Sequence, residues 1–183
     1  MEAVNTLLTA EAFRLLPDNG QPRELVRGRV MAVNVPAPRH GEICGKVVRL
    51  VGNYVEERDL GRVVSNDSGV ITEHNPDTVR GADVAYYSYL RVPKGPMPEG
   101  YPSVAPELVF EVRSPTDRWK NVLVKVAEYL NADVAVVCVL DATAESAHLY
   151  FEDEPPEIVV SDQDVMLPDL LPGFRISVAR FFR

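Results

Sequence analysis

Val134-Ala135-Val136-Val137-Cys138-Val139-Leu140 is an unbroken apolar run bounded by Asp133 and Asp141. Its length is that of a strand, and the lack of polar alternation marks a strand buried on both faces. Such a strand needs other elements to cover it. At 183 residues, folding can hide roughly 70% of the surface the unfolded chain exposes, so a self-sufficient core requires neither disulfides nor structural metal. A hydrophobic content of 46% with 25% charged residues is that of an ordinary globular protein and excludes a disordered chain. No internal repeat, low-complexity tract or charge block divides the chain, so residues 1–183 read as one domain.

The elements around this strand are mixed. Thr9 is placed to cap a short helix over Glu11–Leu16, stopped by Pro17 and the turn-forming Asp18-Asn19-Gly20. Leu25, Val26, Val30, Met31, Val33 and Val35 favour extended chain, with Gly28 suited to a hairpin or bulge between two short strands and Pro36 and Pro38 ending the region. From Gly41 to Glu57, Ile43, Val47, Leu50, Val51, Tyr54 and Val55 recur at helical spacing and predict an amphipathic helix. Val63–Thr72 and Ala82–Tyr87 read as strands separated by the turn Asn75-Pro76-Asp77. Five prolines and two glycines between Arg91 and Pro106 rule out regular structure there.

Leu108–Val112 reads as a strand carrying one carboxylate, and Ser114-Pro115-Thr116-Asp117 as turn and cap chemistry. A helix over Asp117–Leu130 follows, with Val122, Val126, Tyr129 and Leu130 as its apolar stripe and Lys125 and Glu128 off the centre of it. Ala147–Phe151 pairs with the buried run as a hairpin. Glu152–Asp169 is acidic and loop-like with one strand at Ile158–Val160, and Phe174–Phe182 forms a small closing apolar element. Strands outnumber helices.

Nineteen Lys and Arg against 27 Asp and Glu leave a formal charge of −8, which argues against a nonspecific nucleic-acid coat while leaving room for a local basic groove. No apolar stretch approaches the roughly 20 residues that a bilayer span requires. Met1-Glu2-Ala3-Val4-Asn5 lacks the basic flank of a secretory segment, so a cytoplasmic protein without membrane association is expected. Cys44 and Cys138 form no CxxC and no zinc spacing with histidine, which reads as free buried thiols. His40 and Cys44 lie four apart on one helix, half of a metal site with no second pair in view, and read as coincidence.

Two acids interrupt apolar strands: Asp83 between Ala82 and Val84, and Glu111 between Phe110 and Val112. A buried carboxylate without a partner costs several kcal/mol or takes up a proton, so two of them suggest a shared cation. Magnesium, which prefers oxygen ligands and retains waters, suits such a pair if the strands are neighbours. The alternative is an ion pair with Arg80 or Arg113.

These acids also stand within a longer pattern: Leu8-Thr9-Ala10-Glu11-Ala12-Phe13 with Leu16-Pro17, Glu24-Leu25-Val26-Arg27-Gly28-Arg29-Val30, His40, Gly81-Ala82-Asp83-Val84, and Pro106-Glu107-Leu108-Val109-Phe110-Glu111-Val112-Arg113-Ser114-Pro115. Lys125 with Tyr129, the strand ending at Asp141, and Leu171-Pro172-Gly173-Phe174 follow in order. In order and spacing the chain resembles the Uma-two family of restriction-endonuclease-like proteins, a branch of the PD-(D/E)XK nuclease superfamily. The resemblance implies an α+β fold, a mixed β-sheet flanked by helices with extra N-terminal strands. It implies a Mg2+ ion, with Mn2+ as a substitute, held by Asp83, Glu111 and the carbonyl of Val112, and DNA phosphodiester hydrolysis by an activated water. A homodimer is expected, because nuclease folds of this kind frequently pair across a two-fold axis to cut both strands.

The superfamily pattern places lysine two positions after the second acid, where this chain has Arg113. Arginine keeps its proton, so it can clamp a phosphate but is a poor proton carrier. In the resembled family the lysine has moved to the following helix, which points to Lys125. Glu24 matches an acid near the metal centre in related nucleases, against the alternative of an exposed glutamate paired with Arg23 or Arg27. His40 is placed to contact phosphate or orient Glu24, against a plain surface histidine, and Arg113 and Arg118 are placed to hold phosphates. Asn121 stands where the family often has an acid, so no helical salt bridge tunes Lys125.

Weaker features remain. Trp119 beside Lys120 suits base stacking or packing on its own protein, His74 and His148 show no partners, and Ser114 lacks a nucleophile context. Two further functions are compatible with the pattern: a nuclease-like fold without hydrolytic activity acting as a binding or assembly module, and a phosphoesterase for small nucleotides. Convergence of Glu24, Asp83, Glu111 and Lys125 on one cavity separates catalysis from the module.

Overall fold

The computed structural model describes residues 7–183. Met1–Asn5, in which the sequence shows no secretory flank, lies outside the described residues. In chain order the elements are α1 (Ala10–Arg14), β1 (Arg23–Val26), β2 (Arg29–Ala32), α2 (Pro38–Glu57), β3 (Gly61–Glu73), β4 (Thr78–Ser88), β5 (Leu108–Arg113), α3 (Trp119–Asn131), β6 (Val136–Asp141), β7 (Ser146–Tyr150), β8 (Glu157–Val160), β9 (Asp164–Met166), β10 (Arg175–Ser177) and α4 (Ala179–Phe182).

Local chemistry explains most boundaries. Thr9 caps α1 by accepting a hydrogen bond from the Ala12 N–H. β1 and β2 form a hairpin turned at Arg27 and Gly28, both with positive φ, and a side chain at Gly28 would place its Cβ 2.6 Å from that of Leu7. Pro38 opens α2 instead of merely ending the strands before it, since a proline in the first turn gives up an N–H that has no helical partner. β9, in a stretch that reads as loop, pairs with β10 in the closing apolar element. At three residues each they are too short to show alternation, and the fully buried Val165 anchors β9.

The main sheet has eight strands in the order β2-β1-β4-β5-β6-β7-β8, with β3 paired to β4 off this path. β5 and β6 run parallel, bridged by α3, while the other pairs are antiparallel. This is an α+β mixed sheet flanked by helices, as the resemblance implies. On one face Ile43, Val47 and Val51 of α2 pack with Val84, Phe110 and Cys138. On the other, Val126 and Tyr129 of α3 pack with the alternate residues Ala85, Val109 and Val137. The run that opens into β6 is therefore covered on both sides, and Val136–Leu140 are all buried.

The irregularity that matters lies along β4. β3 pairs with β4 from Thr78 to Ser88 on one edge. The other edge is shared, since β1 reaches it at Val79 and β5 at Val84–Tyr86. Between these contacts β1 and β5 diverge, so on this edge Arg80–Asp83 face a fork without a strand partner. Backbone groups in such a gap need side-chain partners.

Candidate active site

Carboxylates supply those partners. The Gly81 N–H donates to Glu24 Oε1 at 3.2 Å, and the Val112 N–H donates to Asp83 Oδ2 at 2.6 Å. The β4–β5 pairing ends at Val84↔Phe110, so Asp83 and Glu111, the next residue of each strand, flank the point where the two strands part. Glu24, Asp83 and Glu111 are 5%, 8% and 8% exposed, yet all three border an open cleft of about 830 Å³.

α3 brings the counter-charge. Lys125 and Tyr129 are one helical turn apart and therefore share a face. The Tyr129 hydroxyl donates to Glu111 Oε1 at 2.9 Å, while Lys125 Nζ lies 2.9 Å from Glu24 Oε1 and 3.6 Å from Glu111 Oε2. Arg80 closes the network from β4, with Nη1 donating to Glu24 Oε2 at 2.7 Å and Nε and Nη2 gripping Glu128 at 2.5 and 2.8 Å. Removing one partner of a buried pair leaves an uncompensated charge. Arg80→Met is expected to destabilise the fold by about 3 kcal/mol, the low end of the range for such a loss, because Glu128 is 22% exposed and Glu24 keeps Lys125. Urea unfolding measures it, and a change below about 0.5 kcal/mol, typical of a plain surface substitution, would remove Arg80 from the framework.

The electrostatics follow from this crowding. Burial pushes the Glu111 carboxyl up to about 8, with Asp83 and Glu24 adding to the rise against the pull of Lys125 and Tyr129. Burial likewise opposes charge on Glu24 and on Lys125, but here the opposite charges win: Lys125 and Arg80 lower Glu24, while Glu111 and Glu24 raise Lys125. Asp83, and after it Cys44, raise His40 to about 10. Between about 4.5 and 8 the folded chain therefore holds a proton on Glu111 that the unfolded chain releases, so cation-free stability falls as pH rises through that window. His40 acts in the same direction, its contribution intact below 6.5 and lost as pH rises through about 10. Glu111→Gln is expected to flatten the lower part of this dependence, as read by denaturation midpoints in chelator; an unchanged slope would place the proton elsewhere.

The donor set suits a hard divalent ion. Three carboxylates line the same cleft, Glu111 Oε2 lies 3.6 Å from the Lys125 ammonium, and burial holds that carboxyl near neutrality until a positive charge compensates it. The fork thus gathers ligand oxygen and a partly buried amine along one open cleft. A family model described as "Putative restriction endonuclease", Uma2, matches residues 10–179. The chain belongs to the Uma2 family. A search of curated proteins finds no match. Among solved structures it is similar to a crystal structure described as "a putative nuclease belonging to DUF820" from Anabaena variabilis ATCC 29413, at TM-score 0.80 and 18% identity over 96% of this chain and 97% of that one. At that identity the likeness speaks to the fold.

In this Uma2 chain Glu24, Asp83, Glu111, Lys125 and His40 all line the cleft, and Val112 joins them through its backbone. Glu24 is not an exposed partner of Arg23 or Arg27: Arg27 pairs with Glu73, and Arg23 donates to the Pro17 carbonyl. Neither Arg80 nor Arg113 neutralises Asp83 or Glu111. Arg113 lines the cleft but is tied to Asp141 on β6, with Nη1 3.1 Å from both carboxylate oxygens. Its guanidinium also lies 5.0 Å from the Trp119 ring centre, and that ring packs 4.7 Å from His148, so Trp119 packs on its own protein. Arg118 is exposed at the start of α3 and sits off the cleft wall. Asn121 borders the cleft, and the acid absent from its position is replaced across space by Glu24.

Two members of this Uma2 network carry more weight than the sequence indicates. Tyr129 reads as core stripe, though a buried tyrosine hydroxyl asks for a partner and here finds Glu111. Asp67 lacks any signal in its neighbours. It borders the cleft because β3 bulges between Ser65 and Ser68, with Asn66 and Asp67 both at positive φ. Gly81, paired with Gly69, makes room for it, since a Cβ there would sit 3.0 Å from that of Asp67. Partial desolvation and then Asp83 raise the Asp67 pKa.

Proposed function

We propose that this Uma2 protein is a divalent-metal-dependent endonuclease that hydrolyses DNA phosphodiester bonds. The observation that carries the reading is the convergence of Glu24, Asp83, Glu111 and Lys125 on one open cleft, each held by partners on a different element. A module released from catalysis need not keep four such groups together. The names carried by the family and by the Anabaena protein agree with the reading.

Asp83 and Glu111, with the Val112 carbonyl, would hold Mg2+ or Mn2+. Such an ion, when bound, lowers the pKa of a water and offsets the charge that builds up on the phosphate. The remaining work falls to side chains. Lys125 carries its proton while flanked by Glu24 and Glu111, so it acts first as a hydrogen-bond donor that orients the attacking water or a phosphate oxygen. It accepts a proton only once those carboxylates are compensated. Glu24 fixes the Lys125 amine and is itself fixed by Arg80 and the Gly81 N–H. His40, protonated against Asp83, offers positive charge to a phosphate at the cleft wall. Arg113, bound to Asp141, and the exposed Arg118 would hold phosphates further along a DNA backbone. A homodimer would set two clefts for the two strands.

The test is nicking of supercoiled plasmid with Mg2+ or Mn2+ by the parent, Asp83→Ala and Lys125→Ala. Cleavage by the parent alone supports the reading. Cleavage that survives both substitutions assigns the activity to another site, and its absence with either metal, together with no calorimetric metal binding, favours the assembly module.

A further inference from the structure

α2 places His40 and Cys44 one turn apart, so both side chains project from one face of its N-terminal end. Asp83 reaches the same point from β4. His40 Nε2 is 3.2 Å from Asp83 Oδ1, and the ligand atoms of His40, Cys44 and Asp83 all lie within 4.8 Å of one another. None of the three is exposed, and Cys44 is a free thiol that is only partly buried. The proposed hydrolysis makes no use of that thiol.

We propose that His40, Cys44 and Asp83 form a second cation site, selective for thiophilic divalent ions of the zinc and cadmium class, which withdraws Asp83 from the hydrolytic site when filled. The withdrawal of activity rests on the hydrolytic reading; the binding does not. A sulfur, an imidazole nitrogen and one carboxylate oxygen are the ligands that borderline and soft ions select, whereas magnesium takes oxygen. A tetrahedral ion with bonds of about 2.0–2.3 Å sets its ligands roughly 3.3–3.8 Å apart, so this trio closes by about 1 Å through side-chain rotation. Three protein ligands leave one position for water. The second Asp83 oxygen stays on the Val112 N–H at 2.6 Å, the kind of outer hydrogen bond that orients a ligating carboxylate. Binding displaces the thiol proton and the proton shared by His40 and Asp83. Because one carboxylate serves both sites, zinc and magnesium compete.

The experiment is a cadmium titration of the full chain in magnesium-free buffer, read by the ultraviolet charge-transfer band of a cadmium thiolate. One equivalent is expected to saturate the band, Cys44→Ser to abolish it, and His40→Asn to weaken affinity at least about tenfold. Glu111→Gln, which touches only the hydrolytic site, is expected to retain it. In the unaltered protein, cadmium is expected to protect Cys44 from iodoacetamide, mapped by peptide mass, which keeps the test independent of how the variants fold. No band in the parent, a band surviving Cys44→Ser, or unprotected alkylation of Cys44 overturns the site. Zinc is expected to suppress magnesium-dependent nicking. A cadmium band without nicking under any metal leaves this site standing and removes the hydrolytic reading; nicking without the band does the reverse.

Discussion

Glu111→Gln is expected to slow metal-dependent plasmid nicking by on the order of 10³-fold while leaving the protein at least as stable near neutral pH. A divalent ion contributes several kcal/mol to stabilising the charge of the transition state, and each 1.4 kcal/mol is tenfold in rate, so loss of one anionic ligand is worth about three decades. Stability is spared for a separate reason. Burial already holds the Glu111 carboxyl near its neutral form, which glutamine matches in shape, and the amide oxygen can still accept from Tyr129. Asp83→Asn is expected to lose a similar amount of rate. Single-turnover rates alongside urea midpoints read both quantities, and a Glu111→Gln rate within tenfold of the parent would take Glu111 out of the reaction.

Lys125→Met is expected to lower kcat by about 10² to 10⁴, the range for a positioned proton-transfer group, and to tighten calorimetric binding of Mg2+ or Mn2+. The two effects diverge because Lys125 is a positive charge 3.6 Å from a Glu111 oxygen and 2.9 Å from one of Glu24. Its removal frees carboxylate charge for the ion while taking away the donor that orients water. Lys125→Arg is expected to restore stability more than rate, since guanidinium keeps the ion pair but holds its proton. A purely structural lysine would instead lose metal affinity, rate and stability together. That pattern, or full activity in Lys125→Met, would assign the amine no part in hydrolysis.

How much of this was legible in the chain depends on distance. The apolar run Val134–Leu140, which the fold trims to a strand from Val136 with Ala135 exposed, the amphipathic stripes of α2 and α3, the hairpin at Gly28 and the turn at Asn75-Pro76-Asp77 rest on contacts within a few residues, and periodicity records those. β9 and β10 escaped because three residues hold no period. At the site, the oddity of Asp83 and Glu111 inside apolar strands was visible because burying charge is costly anywhere. Glu24 was ambiguous on sequence grounds because β1 offers it Arg23 and Arg27 as neighbours, and only the fold shows it turned inward to Arg80 and Lys125.

The sequence by itself determined helices α1 to α3 and the strands of the main sheet, that two acids must be buried among apolar neighbours, and, through the order of its motifs, membership of the Uma2 family. Tertiary structure alone decided that β1 and β5 part along one edge of β4, and hence that Glu24, Asp83 and Glu111 meet there with an amine from α3 and an imidazole and a thiol from α2. The reason is the range of the forces involved. Hydrophobic periodicity acts over one or two turns and survives as pattern, whereas a charge's partner is set by folded distance, which positions 24, 44, 83, 111 and 125 do not encode in their spacing.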